Sequence, residues 1–171
     1  LASENLKTNL NFDDIAKEYR ERLYWLIRKI VILHDDADDV LQNVLIKVWK
    51  ALPAFKGESS VYTWLYRIAV NESITFLAKK KKEAHPEYQE YENYLSNTLQ
   101  TDTFFDGDSL QLKLQQAILT LPEKQRIVFN MRYFEETSYR DMSEILGTSE
   151  GALKASYHHA VKKVEAFFDE D

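Results

Sequence analysis

The chain has 171 residues, of which 44% are hydrophobic; it carries a net charge of −6 and contains no cysteine. That length and apolar content can bury one ordinary core or two small ones, while the lack of thiols excludes a disulfide framework, thiolate metal ligation and cysteine nucleophiles and suits a reducing compartment. Apolar stretches such as Ile30 to Leu33 fall far below the roughly 18 residues of a membrane span, and the N-terminus lacks a basic-then-apolar export signal, so a soluble cytoplasmic protein is expected.

Periodicity is helical wherever it is regular, and no alternating strand pattern occurs. Phe12, Ile15, Ala16, Tyr19, Leu23, Leu26, Ile27, Ile30 and Val31 follow three-and-four spacing behind Asn11, a capping residue, with Asp13 and Asp14 in the first turn. In "DDADDVLQNVLIKVWKALP" the residues Ala37, Val40, Leu41, Val44, Leu45, Val48 and Leu52 form a second stripe, which Pro53 ends. A third helix is expected to begin near Ser60, with Val61, Leu65, Ile68, Ala69 and Phe76 inward, and to run into Lys79 to Lys82. Three helices of this size make a compact bundle, placed at residues 1–82.

The second and third helices carry more than a core requires. Asp39, Gln42, Asn43, Ile46 and Lys50 share the face opposite the apolar stripe, although an ordinary solvated face has the same look. In "VYTWLYRIAVNE" the residues Trp64, Arg67 and Asn71 share one face, beside Tyr62 and Tyr66, with Lys56 before them and four lysines after. Aromatic rings stack on unpaired bases and cations hold the backbone, so the pattern suits single-stranded nucleic acid; some of these rings must nonetheless be core, where tyrosine and tryptophan more often belong.

Residues 83–109, from "EAHPEYQEYENY" to "FFDGDS", have no Lys or Arg against 7 Asp and Glu, and contain Pro86 and Gly107. An acidic linker is expected, punctuated by Tyr88, Tyr91, Tyr94, Phe104 and Phe105. The net negative charge therefore lies largely here and in the terminal Asp169, Glu170 and Asp171, whereas residues 1–82 hold 14 Lys and Arg against 11 Asp and Glu. Local cationic faces remain possible outside the linker.

Residues 110–171 form a second helical domain. Leu110 to Leu121 and Pro122 to Phe134 are two helices, the second opened by Pro122 at its first position. Ser138 with Asp141 reads as a capping box for a short helix stopped by Gly147, and Ser149 caps a final helix after a short turn. This spacing is that of a helix-turn-helix. With Leu153, Tyr157, Ala160, Val161, Val164 and Phe167 inward, Lys154, His158 and Lys162 project outward, flanked by Ala155 and His159. Such a face can meet a major groove, with Arg132 of the preceding helix adding a phosphate or base contact. The face lacks arginine, and each absent bidentate arginine forgoes roughly 1 to 3 kcal/mol of base discrimination. His158 and His159 are adjacent and cannot chelate a metal as an i, i+4 pair would; no metal or cofactor is expected.

The order "DADDVLQNVLIKVW", "YTWLYRIAVN", acidic linker and "LPEKQRIVFNMRYFEETSYRDMSEILGTSEGALK" resembles bacterial RNA polymerase sigma factors of the sigma-70 family, extracytoplasmic-function (ECF) group, from about Phe12 to Val164. The resemblance implies an all-α chain of two small helical domains with a sigma region 2 like domain, a linker near the RNA exit path and a sigma region 4 like domain. It implies that Asp39, Gln42, Asn43 and Trp49 dock on the polymerase clamp helices, and that Phe55, Lys56, Tyr62, Trp64, Arg67 and Asn71 melt and read the minus-ten strand. It further implies that Arg132, Lys154, Ala155, His158 and His159, with Lys162 beside them, read the minus-thirty-five duplex, that the second domain grips the polymerase flap, and that an anti-sigma factor is a partner common in the family. Where the family often has arginines in the last helix, this chain has Ser156, His159 and Val161. A free-standing helix-turn-helix regulator is the alternative. An enzyme is not expected, because the chain has no glycine-rich phosphate loop, no paired histidines at metal spacing and no nucleophile with a nearby base.

Overall fold

The computed structural model describes residues 10–83 and 108–169. Among them are seven α-helices and no strand: α1 (Phe12–Val31), α2 (His34–Ala51), α3 (Val61–Glu83), α4 (Ser109–Leu119), α5 (Glu123–Tyr133), α6 (Tyr139–Leu146) and α7 (Glu150–Asp169), with a single 3-10 turn at Leu52–Ala54. All but the ends of the acidic stretch at 83–109 lies outside the described residues. By its contacts the chain divides into two compact units, Leu1–Phe76 and Leu77–Asp171.

In the first unit, α1 starts where Asn11 accepts a hydrogen bond from the Asp13 N–H at 2.7 Å, satisfying one of the donors a helix start leaves open. Leu23, Leu26, Ile27, Ile30 and Val31 are fully buried, as are Ala37, Val44 and Val48 of α2; Phe12, Ala16, Tyr19 and Leu45 sit at the half-buried margin of the stripes. The turn between the two helices is abrupt. Ile32 has φ 76° and ψ −48°, and the Leu33 N–H donates to the Val31 carbonyl at 3.0 Å, the geometry of a strained γ-turn that a β-branched residue rarely adopts. Burial of the Ile32 side chain, 6% exposed, holds it there.

The start of α3 is capped by Ser60, whose hydroxyl oxygen accepts from the Thr63 N–H at 3.0 Å. Its buried stripe is rotated from the one the sequence suggests. Leu65 and Ala69 are buried as expected, but Tyr66, Val70 and Ser73 join them at 0% exposure, while Val61, Ile68 and Phe76 are only half-buried. Tyr66 brings a large apolar ring inward, and the Ser73 hydroxyl is hidden without penalty because it donates to the Ala69 carbonyl at 2.8 Å.

In the second unit, α4 is capped by Asp108, which accepts from the Gln111 N–H at 2.9 Å. Pro122 is not the first helical residue of α5. Its φ of −53° and ψ of 143° make it the N-cap, and its carbonyl accepts the first helical bond, from Arg126 at 2.9 Å; Glu123 then takes the first position. Proline suits the cap for the same reason it suits the next site, since neither needs an N–H. Ser138 accepts from the Asp141 N–H at 3.1 Å, but the Asp141 carboxylate accepts from the Ser138 hydroxyl at 2.8 Å where a capping box would have it take the backbone N–H. Gly147 ends α6 at φ 64° in the left-handed region, and Ser149 accepts from the Ala152 N–H at 3.3 Å to start α7. Ala117, Ile118, Leu121, Phe129, Ala160 and Val164 form the shared core of α4, α5 and α7, with Tyr157 and Val161 packed at its edge.

Candidate nucleic-acid interface

Three surfaces collect the candidate residues. On α2, Asp39, Gln42, Asn43, Ile46 and Lys50 are all exposed, since the opposite stripe is anchored against α1. Trp49 is 61% and Ile46 45% exposed, although side chains of this kind gain from burial. Asp39, Gln42, Ile46 and Trp49 line a groove of about 670 Å³, completed by Phe12 and Arg20 of α1. Asn43 shares the helix face without lining the groove. No local sequence signal links Arg20 to α2; only the packing of α1 on α2 does so.

On α3 and the loop before it, the structure separates the residues grouped by sequence into two clusters. The Phe55 and Trp64 rings pack with centroids 4.6 Å apart, next to exposed Lys56. Tyr62 instead packs on buried Tyr66, with ring centroids 4.0 Å apart and the rings tilted by 34°, and lies under the Arg22 guanidinium of α1, 5.4 Å from the ring centroid. Tyr62 and Trp64 are two residues apart and so point about 200° from each other. Arg67 is half-buried, and Asn71 is exposed a turn further on. Arg22 also lies 5.7 Å from the Tyr19 ring and 6.0 Å from that of Tyr66. Its i, i+3 spacing from Tyr19 was the one available sequence cue to that aromatic nest. Burial, with Glu18 alongside, raises the Tyr19 pKa above its ordinary value.

A side-chain chain also links the start of α2 to α1. The Tyr24 hydroxyl and His34 Nδ1 are 2.6 Å apart, and His34 Nε2 lies 3.3 Å from the Asp38 carboxylate. An Nε2–H can donate to that carboxylate, and the direction of the Tyr24–His34 bond is set by whether Nδ1 carries a proton. This is a helix-joining contact.

On α7, Lys154, Ala155, His158, His159 and Lys162 are all exposed, while Leu153 and Ala160 are 2% and 0% exposed and fix the opposite face. Arg132 of α5 is half-buried; its Nη1 donates to the Thr137 carbonyl at 3.2 Å and its guanidinium lies 5.1 Å from the Tyr139 ring centroid. Lys154 approaches the same ring, at 5.6 Å. Tyr139 was not singled out by sequence because it meets Arg132 and Lys154 only after α5, α6 and α7 have packed. No three His, Asp or Glu side chains among the described residues are placed to hold a metal ion.

The family models for Sigma-70 region 2 and Sigma-70, region 4 match residues 15–83 and 111–164. The chain is 31% identical over 159 residues to the ECF RNA polymerase sigma factor SigW of Bacillus subtilis (strain 168), covering 86% of this chain and 83% of SigW. It is 30% identical over 167 residues to the RNA polymerase sigma factor YlaC of the same organism, covering 91% and 90%. The fold matches that of the sigma factor RpoE from Bartonella quintana, solved in complex with the anti-sigma factor NepR, with a TM-score of 0.72 at 19% identity over 94% of this chain and 98% of RpoE. It likewise matches CnrH, solved with the cytosolic domain of CnrY, with a TM-score of 0.69 at 20% identity over 99% and 96%.

The chain therefore belongs to the ECF group of sigma-70 RNA polymerase sigma factors. It is a transcription initiation factor that directs RNA polymerase to promoters, which sets aside the free-standing regulator.

Proposed function

We propose that two domains divide the work of initiation, a sigma region 2 like domain at 1–82 and a sigma region 4 like domain at 110–171, joined by an acidic linker at 83–109. Asp39, Gln42, Asn43 and Trp49 capture the clamp helices of core polymerase. Phe55, Lys56, Tyr62, Trp64, Arg67 and Asn71 open the minus-ten DNA and hold it as a single strand by ring stacking and backbone contacts. Arg132, Lys154, Ala155, His158, His159 and Lys162 read the minus-thirty-five duplex while the second domain rests on the polymerase flap. The factor works in the cytoplasm by binding alone, with no covalent step of its own and no cofactor.

The observation that carries this reading is the exposure of Trp49 and Ile46 beside Asp39 and Gln42. Large apolar side chains held open next to polar ones make a surface suited to a protein partner. An anti-sigma factor is a further expected partner, since RpoE, to which the fold is similar, was solved in complex with one.

Pull-down with core polymerase, followed by run-off transcription on a promoter library, tests the whole proposal. Trp64→Ala or Asn71→Ala is expected to impair promoter opening and leave core binding intact, with Trp64→Ala costing about 1 to 3 kcal/mol, the range for one stacked base. Loss of core binding in those variants would reduce the two residues to packing.

A further inference from the structure

Two cations meet on one tyrosine in the second unit. The Arg132 guanidinium and the Lys154 ammonium lie 5.1 and 5.6 Å from the centroid of the Tyr139 ring, and the three residues come from α5, α7 and α6. The electron-rich face of the ring attracts both cations. Arg132 is further tied down by the Thr137 carbonyl at 3.2 Å, where Glu136, at φ 52°, bends the chain back toward it.

The lysine is the part of this cluster with freedom to lose. An exposed lysine on a helix has a long, mobile stem, and its ammonium is a point charge without the planar fork by which arginine selects guanine. Left free, Lys154 would attract any phosphate and discriminate poorly among bases. A ring that attracts the ammonium electrostatically narrows its positions before DNA arrives, so less rotamer entropy is lost on binding.

We propose that Tyr139 is a positioning residue for promoter discrimination: its ring holds Lys154 beside Arg132, so that a recognition helix without arginine can still distinguish base sequences in the minus-thirty-five duplex. The proposal rests on the reading of α7 as the helix that meets that duplex. It goes beyond that reading in assigning to a side chain of α6 control over the selectivity of one on α7.

The test uses holoenzyme assembled from the full chain and core polymerase, transcribing a promoter with its own minus-thirty-five element and one with that element scrambled. The ratio of the two outputs is the discrimination. Tyr139→Phe, which keeps the ring, should leave the ratio as in the parent. Tyr139→Leu should lower it by about three- to tenfold, the scale of one such contact. A 4-cyanophenylalanine at position 139 keeps the ring's shape while withdrawing charge from its face, and should lower the ratio as well; this keeps the test decisive if Tyr139→Leu fails to fold. In a Lys154→Ala background none of these changes should lower the ratio further.

An unchanged ratio with the cyano ring, or a further loss from the ring changes after Lys154→Ala, overturns the proposal. So does an equal fall in both outputs, the mark of a generally weakened domain. Should Lys154→Ala itself leave the ratio untouched, the reading of α7 fails, and with it the basis of the proposal; a Lys154→Ala loss without a Tyr139 effect overturns the positioning role alone.

Discussion

Trp64 and Tyr66 carry similar chemistry two residues apart on α3, yet Tyr66 is fully buried and Trp64 half-exposed against Phe55. Composition marked both as core or base platform, and only the packing of α3 decided which is which. Gly147 is the reverse case, because its role was readable from its place between two helical patterns. At φ 64°, with open space around a would-be Cβ, Gly147→Ala meets no clash and pays only the left-handed backbone cost. It should lower the stability of the second unit by about 1 kcal/mol, measured by urea unfolding. Tyr157 gives a pH prediction. Burial, and then its neighbour Tyr139, raise its pKa above the ordinary 10.0. The folded state thus prefers the neutral phenol, and the stability this contributes is complete below pH 10 and lost as pH climbs through the raised value. The urea midpoint should fall in alkali above pH 10, and fall less in Tyr157→Phe; equal falls in both chains would contradict the assignment.

At the scale of elements, the candidate surfaces on α2 and α7 are each the outer side of a helix whose inner side is anchored. The α2 stripe of Ala37, Val40, Val44 and Val48 is buried, which leaves Asp39, Gln42 and Trp49 outward by geometry alone. Asp39→Ala with Gln42→Ala should weaken capture of core polymerase, and Trp49→Ala should weaken it by about 2 kcal/mol or more if that ring is an anchoring side chain. Binding of labelled factor to core polymerase checks both, and unchanged affinity would remove this face from the interface. Element boundaries were less legible than element identity. Asp108, within the stretch read as linker, caps α4, and α5 begins one residue later than expected, with Pro122 as its cap. Proline's preference for the first helical position points to the other boundary, and the structure overrides it.

At the scale of the whole molecule, the chain carries a net charge of −6, which disfavours DNA at long range. Its last helix presents Lys154, His158 and Lys162 and no arginine. Binding of promoter duplex by the isolated protein is expected to be weak and only slightly sequence-dependent in a gel shift. Linking two contacts through a shared scaffold raises avidity by roughly 10² to 10⁴, so selective binding should emerge once core polymerase is added. Tight, specific binding by the lone protein would contradict this division of labour.

Helical class, two-part organisation, the buried stripes of α1 and α2 and the outward face of α7 were all determined by the sequence, because helix periodicity is a local property repeated over many residues. The tertiary structure decided which tyrosine of α3 is core, that Arg22 of α1 lies over Tyr62, that Phe12 and Arg20 share a groove with α2, and that Tyr139 gathers Arg132 and Lys154. These outcomes join residues on different helices or depend on how a helix faces its neighbours. They depend on how one helix is rotated against another, a quantity set by the sum of many side-chain contacts and encoded in no single stretch.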